Sequence, residues 1–198
     1  MSEQSRTEVG LTTQTATNSE GSATEPADDI YAFDDDTDLF FGRSTQSVNW
    51  ETLPSHDARR AWTDLDAWVH RIRRAYGLPP NIIPPLWHRH RELVWELSAL
   101  HAHWVTSYEA GAPPSAAVSW HRDFAEARGR LREWVAACGT KVDRDRPTRQ
   151  VAWPGEAENE VGSETVIEDR RADFLAFVDS DVAARRAREE AGGLDDFD

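Results

Sequence analysis

The sequence predicts an all-α protein: an antiparallel three-helix bundle with an additional C-terminal helix and a disordered acidic N-terminal arm. Apolar residues recur at three- and four-residue steps through most of the middle of this 198-residue chain, and proline and glycine separate the periodic stretches. All nine tryptophans lie between Trp50 and Trp153, which indicates a real hydrophobic core in that part of the chain.

The charge is distributed unevenly along the chain. Of the net charge of −14, residues 1–49 carry −8 and residues 154–198 carry −9, whereas residues 50–153 carry +3 and all seven histidines. The middle is therefore a slightly basic domain between two acidic segments. The predicted division is a disordered arm over 1–49, a Trp-rich helical bundle over 50–153, a linker over 154–163, an amphipathic helix over 164–191 and an acidic tail over 192–198.

The acidic arm contains one unusual segment. Residues 1–27 are polar and cannot bury enough apolar surface to fold. In residues 28–42, by contrast, acidic side chains alternate with aromatic and aliphatic ones. A solvated linker is the simpler interpretation, but three consecutive large apolar residues favour docking onto a basic, apolar groove of a partner or of the chain itself. The partner-binding candidates are Tyr31, Phe33, Leu39, Phe40 and Phe41.

The helices of the middle are bounded by local signals. The first is expected over Leu53–Tyr76, with Ser55 as its N-cap and Gly77 after its last turn. The second is expected to begin near Pro84 and Pro85 and to reach Glu109, and the third to run from about Ser115 to Cys138. Short connections predict antiparallel neighbours.

Further predictions concern the packing of these helices and the end of the chain. The third helix should bury a face that includes Trp134 and Cys138, and Trp153 should pack on the bundle. A fourth helix is expected over 164–191, with an apolar face that packs either on the bundle or on another chain. Its second half, with Arg185, Arg188 and Glu189, is expected to be a solvated charged surface.

The histidines are the first candidates for chemistry. Residues two apart on a helix do not face each other, so neither His88 with His90 nor His101 with His103 forms a chelate alone. The metal-ligand candidates are His101, His103 and His121, which the predicted pairing of the second and third helices brings together. No compact ligand motif is present, so hydrogen-bonded histidines are the favoured interpretation and no metal or cofactor is predicted.

No catalytic signature is present: the sequence has no phosphate-binding glycine loop, dinucleotide fingerprint or nucleophile elbow. The single cysteine, Cys138, excludes an intramolecular disulfide and is expected to be a small core residue. No enzyme is therefore predicted. The absence of a secretory signal or a membrane-spanning stretch predicts a cytoplasmic protein that does not bind membranes.

Two arginine clusters offer an alternative function. Phosphate binding requires several cations on one surface. If these arginines do not bind phosphate, they form an arginine-rich face exposed to solvent. The nucleic-acid-binding candidates are Arg71, Arg73 and Arg74 at the end of the first helix and Arg128, Arg130 and Arg132 on the third.

Several strings of the middle carry a family resemblance. They are Pro85-Leu-Trp-His-Arg-His90, Glu92-Leu-Val-Trp-Glu-Leu-Ser-Ala-Leu100, Trp104, Tyr108, Trp120-His121 and Arg130-Leu-Arg-Glu-Trp134. Together they resemble a family of small helical proteins of unknown function from actinobacterial plasmids, integrative elements and phages. The resemblance covers about half of the chain and implies a helical domain and an accessory role in a mobile element. The predicted function is a non-enzymatic interaction protein with a protein partner, and a nucleic-acid-associated protein is the alternative.

Overall fold

The computed structural model describes residues 47–156 and 162–192, all within one compact unit of the chain. The described residues are mostly helical, as an all-α protein should be. The helices are α1 (Ser55–Ala75), α2 (Arg91–Tyr108), α3 (Pro114–Cys138) and α4 (Arg170–Gly192). The strands β1 (Arg144–Asp145) and β2 (Thr165–Val166) pair antiparallel, with Arg144 opposite Val166.

α1 follows its sequence pattern closely. Trp62, Leu65, Trp68 and Ile72 are buried at three- and four-residue intervals, so one face of the helix enters the core. The prediction of Ser55 as N-cap is wrong, because Pro54 holds that position and Ser55 is the first helical residue. Ser55 instead donates hydrogen bonds from its backbone N–H and its hydroxyl to the carboxylate of Glu189, both at 2.6 Å.

The second helix starts later than the prolines predict. After Pro84 and Pro85 the chain forms a 3-10 turn over Trp87–Arg89, and His90 is extended with φ −116° and ψ 110° before α2 begins at Arg91. The prediction of a helix from Pro84 is therefore wrong. The turn buries Trp87, His88 and His90 almost completely, and this tertiary burial replaces the first helical turns that the sequence favours.

α2 and α3 run antiparallel. Ion pairs and hydrogen bonds join Glu96 to Arg130, His103 to Asp123 and Tyr108 to His121, so positions later in α2 meet positions earlier in α3. The prediction that Trp134 belongs to the buried face is wrong, since its side chain is 44% exposed. The buried face of α3 consists of Trp120, Phe124, Ala127, Leu131, Val135 and Cys138, and Trp134 lies beside this stripe.

α4 packs on α1 with the opposite direction. Arg170 binds Asp66 near the start of α4, and Glu189 binds Ser55 near its end. α4 begins at Arg170 rather than near residue 164 because Thr165 and Val166 pair with β1. Through the strand pairing and the helix packing, residues 162–192 join the helical domain, whose predicted C-terminal boundary is residue 153.

Two predictions at the end of the chain are wrong. Trp153 does not pack on the helices, since 75% of it is exposed. The second half of α4 is more than a solvated charged surface, because Arg185 is 6% exposed and donates to the Leu53 carbonyl oxygen at 2.8 Å. Within residues 47–156 and 162–192, no helix is both long and apolar enough to cross a bilayer.

Candidate functional site

A groove of about 550 Å³ lies where four parts of the fold meet. The segment before α1, the helix α1, the end of the 3-10 turn with the first residues of α2, and the helix α4 all contribute to it. Its walls combine large aromatic rings with arginine side chains. The lining residues used below are Trp50, Trp62, Trp95 and Phe177 among the aromatics, and Arg89, Arg91, Arg185 and Arg188 among the cations.

The aromatic wall is held by ring-to-ring contacts. The ring centroids of Trp50 and Trp62 are 4.3 Å apart, and Trp62 meets Phe177 edge to face at 5.3 Å. Trp62 Nε1 donates to Asp181 at 2.8 Å, which fixes the ring on α4. Trp95 remains 36% exposed at the groove. Trp50 and Trp62 are only 7% and 3% exposed, so the apolar surface that this preformed wall presents to a ligand is mainly that of Trp95.

The charges along the groove are mainly positive. The lining residues include four arginines and two carboxylates, Glu51 and Asp181, and the guanidinium of Arg89 is also bound by the neighbouring Asp173. Arg185 is bound to Asp181 at 2.7 Å, and Arg91 to Glu51 at 2.9 Å. The guanidinium of Arg188 has its Nε on a carbonyl of its own helix and is otherwise exposed. An anionic ligand is therefore electrostatically favoured here.

His88 lies at the floor of the groove with its side chain fully buried. Burial lowers its pKa to about 4, although Asp173 opposes this effect through a hydrogen bond to Nε2 at 2.8 Å. The imidazole is therefore neutral, and within residues 47–156 and 162–192 its Nδ1 has no hydrogen-bond partner. Trp50 Nε1 is also buried without a partner. Two polar atoms beside the groove are therefore closed to solvent and lack a hydrogen-bond partner among the described residues.

His90 is the centre of a second, buried cluster. Its Nε2 lies 2.7 Å from Asp145 of β1, and its Nδ1 lies 3.0 Å from the hydroxyl of Thr148. Thr148 donates its only hydroxyl proton to Glu92 at 2.7 Å. The Thr148 oxygen must therefore accept from His90 Nδ1, and both imidazole nitrogens carry protons.

The protonation of His90 follows from its neighbours. Burial alone lowers its pKa, but the hydrogen bond to Asp145 and the adjacent Cys138 outweigh that effect and raise the pKa to about 9.

One ligand atom each from His90, Glu92 and Cys138 lies within 4.8 Å of the others. Cys138 is completely buried, as its assignment to the core predicts.

The three predicted metal candidates have separate surroundings. His101 stacks on Trp68 with centroids 5.1 Å apart and has its Nε2 buried without a partner. His103 Nε2 lies 3.1 Å from Asp123. His121 Nε2 lies between the hydroxyls of Tyr76 and Tyr108, at 3.0 and 3.2 Å. Among the described residues, the group of candidate metal ligands consists instead of His90, Glu92 and Cys138.

Several of the predicted nucleic-acid-binding arginines contact other side chains. The guanidinium of Arg71 lies over Trp104 at 5.7 Å, and that of Arg128 over Phe124 at 5.8 Å. Arg130 forms an ion pair with Glu96 at 2.7 Å. Arg73 is half-buried on α1, whereas Arg74 and Arg132 are exposed. Contacts with carboxylates and rings compete with phosphate for these side chains.

The predicted partner-binding residues Tyr31, Phe33, Leu39, Phe40 and Phe41 lie outside the described residues, as do the arm before residue 47 and the tail after residue 192. The residues that sequence reasoning missed are the groove arginines of α4 and the Asp145–His90 pair. The four-residue spacing of Asp181 and Arg185 signals an ion pair, but only the fold shows that it faces α1. Asp145 is 55 residues from His90 in sequence, and no local pattern joins them.

No family model, curated protein or solved structure matches this chain.

Proposed function

We propose that this chain is a non-enzymatic interaction protein, and that its binding surface is the groove between α1, α2 and α4. The single observation that carries the proposal is the pairing of aromatic walls with an excess of arginines at that groove. Aromatic and arginine side chains contribute most of the binding energy at protein interfaces. An accessory role in a mobile genetic element is part of the proposal and rests on the family resemblance alone.

The composition of the groove indicates what it binds. Arginines select carboxylates, and the exposed Trp95 with the half-buried Phe177 offers contacts for aromatic or aliphatic side chains. A peptide that alternates acidic and aromatic residues satisfies both requirements. The chain itself supplies such a segment in Asp38-Leu-Phe-Phe41.

Chain length permits this segment to reach the groove. Eight residues lie between Phe41 and Trp50, which lines the groove, so the chain takes nine steps from one to the other. Nine extended residues span up to about 30 Å. We therefore propose that Leu39–Phe41 docks in the groove and competes with similar segments of a partner protein. The partner then binds by displacing it.

A competition experiment tests this proposal. The probe is a fluorescent synthetic peptide that copies residues 28–42, titrated into the full-length chain and into a full-length Leu39→Ser, Phe40→Ser, Phe41→Ser variant. We expect the triple variant to bind the peptide more tightly than the wild type, because its own segment no longer competes. Raising the salt concentration should weaken binding, because the arginines of the groove contribute through charge.

Charge reversal locates the binding surface. Arg91→Glu with Arg188→Glu, made in the triple variant, should reduce peptide affinity at least about tenfold, a difference of about 1.4 kcal/mol. The matched control is Arg132→Glu with Arg186→Glu, which makes the same charge change at exposed positions outside the groove. The proposal is wrong if no peptide binds, or if both double variants lower the affinity equally.

Nucleic-acid binding through the arginines of α1 and α3 stands as the alternative function. Its support is the sequence clustering of Arg71, Arg73 and Arg74 and of Arg128, Arg130 and Arg132. The contacts with Trp104, Phe124 and Glu96 make three of these side chains less available to phosphate. A labelled duplex and a labelled single strand, used as probes in the same titrations, distinguish the alternatives. Arg132→Glu with Arg186→Glu would weaken nucleic-acid binding more than peptide binding.

A further inference from the structure

We propose that His90, Glu92 and Cys138 form a binding site for one Zn²⁺ ion. The three side chains come from different parts of the fold: His90 directly precedes α2, Glu92 is in its first turn and Cys138 is the last residue of α3. One potential ligand atom of each lies within 4.8 Å of the other two. Their sequence separation hides the site from any search for a compact motif.

The spacing of the His90 and Glu92 ligand atoms is close to what zinc requires, and the Cys138 sulfur lies within 4.8 Å of both. Tetrahedral Zn²⁺ with bonds of about 2.0–2.3 Å holds its ligand atoms about 3.3–3.8 Å apart. His90 Nδ1 and Glu92 Oε1 are 3.9 Å apart. A shift of a few tenths of an ångström, within side-chain freedom, brings the pair to that spacing. No backbone movement is needed for these two ligands.

Without the ion, Nδ1 of His90 donates its proton to Thr148, so Zn²⁺ must displace that proton when it binds. The other side of the ring already has the surroundings of a metal ligand. Its Nε2 faces the buried carboxylate of Asp145 at 2.7 Å, which leaves Nδ1 facing the Glu92 side. A histidine that binds metal through one nitrogen commonly donates the other N–H to a carboxylate, which fixes the ring. The Thr148 hydroxyl now lies between Nδ1 and Glu92. The hydroxyl oxygen can serve as the fourth zinc ligand, or a water molecule can take that position.

The donor set favours zinc over other common cations. A thiolate, an imidazole and one carboxylate suit Zn²⁺, whereas Mg²⁺ and Ca²⁺ prefer oxygen ligands. A thiolate and a carboxylate also balance the two positive charges of the ion. His90 and Cys138 are buried, and Glu92 is 17% exposed at its side chain, so Glu92 marks the side from which an ion enters.

Cobalt titration of the full-length chain, first dialysed against a chelator, tests the site. Co²⁺ is a spectroscopic substitute for Zn²⁺, and a tetrahedral thiolate site gives visible bands and a thiolate-to-cobalt charge-transfer band. We expect about one Co²⁺ per chain, displaced by Zn²⁺, and a higher Tm with Zn²⁺. Asp145→Asn should weaken binding about 10- to 100-fold by releasing the His90 ring.

Two ligand variants and one control decide the outcome. Cys138→Ser should abolish the charge-transfer band, and Glu92→Gln should weaken binding at least about tenfold. His103→Gln, at a partly exposed histidine paired with Asp123, should leave binding unchanged. If circular dichroism shows that Cys138→Ser is unfolded, Glu92→Gln decides alone. The proposal fails if the wild type takes up no metal, or if Glu92→Gln binds it as the wild type does.

Discussion

At the scale of single residues, His88 and His90 show how neighbours decide the charge of a side chain. Both imidazoles are buried and each contacts an aspartate, yet the pKa of His88 falls to about 4 and that of His90 rises to about 9. Asp173 is shared between His88 and Arg89, so its charge is largely balanced by the guanidinium. By contrast, Asp145 accepts from His90 Nε2, and together with Cys138 it outweighs the effect of burial.

His101 gives a prediction about pH and stability. Burial, with a smaller effect of Arg71, lowers its pKa to about 4 in the folded protein, against about 6.5 in the unfolded chain. Between about pH 4 and about pH 6.5, His101 binds a proton in the unfolded chain but not in the folded protein. The free energy of unfolding therefore falls as the pH falls, and His101 contributes about 2 kcal/mol of loss between pH 7 and pH 5.

Urea titrations at pH 7 and pH 5 measure this contribution. His101→Phe keeps a ring against Trp68 and removes the titrating group, so its stability should fall by about 2 kcal/mol less than that of the wild type between these pH values. His56→Phe is the control for removing a histidine, because that side chain is 77% exposed. Equal pH dependence in the wild type and in His101→Phe would contradict the assignment.

At the scale of secondary structure, the helix ends that depend on local sequence were predictable. Gly77 and Gly139 have φ values of 59° and 74° just after α1 and α3, where the sequence places their ends. The start of α2 was not predictable, because the burial of the Trp87–Arg89 turn against α4 decides it. β2 was also missed, since two residues that pair with a distant strand have no periodicity.

Two glycines test this separation of local and tertiary effects. Gly129 lies inside α3, and Gly139 directly follows its C-terminal end. An added methyl group at Gly129 would meet no other side chain within 4 Å, so Gly129→Ala should raise the free energy of unfolding by about 0.5–1 kcal/mol. Gly139→Ala should lower it, because φ is 74° and the new methyl group would meet the Arg146 side chain. Denaturant midpoints of both variants measure the difference, and a stabilised Gly139→Ala would be the contrary result.

At the scale of the whole molecule, α4 determines which residues form one cooperative unit. The apolar pattern of α4 was visible in the sequence, but its partner was not. Trp62 of α1 contacts Phe174 and Phe177 and donates to Asp181, so the core of α1 is completed by α4. Most of the candidate site was unpredictable for the same reason. The groove and the His90 cluster are both built by residues that meet only when distant segments pack.

This organisation predicts that residues 50–153 do not form a stable domain alone. A chain ending at Glu168 lacks α4, loses the buried Phe174 and Val178, and exposes Trp62 and Trp87 to water. Circular dichroism during heating should show no cooperative transition, and the truncated chain should bind a hydrophobic dye. Within the full chain, Phe174→Ala should cost about 3–5 kcal/mol. Leu175→Ala, at a residue 45% exposed, should cost about 0.5 kcal/mol or less. A truncated chain that unfolds cooperatively at the temperature of the full chain would instead make α4 a separate appendage.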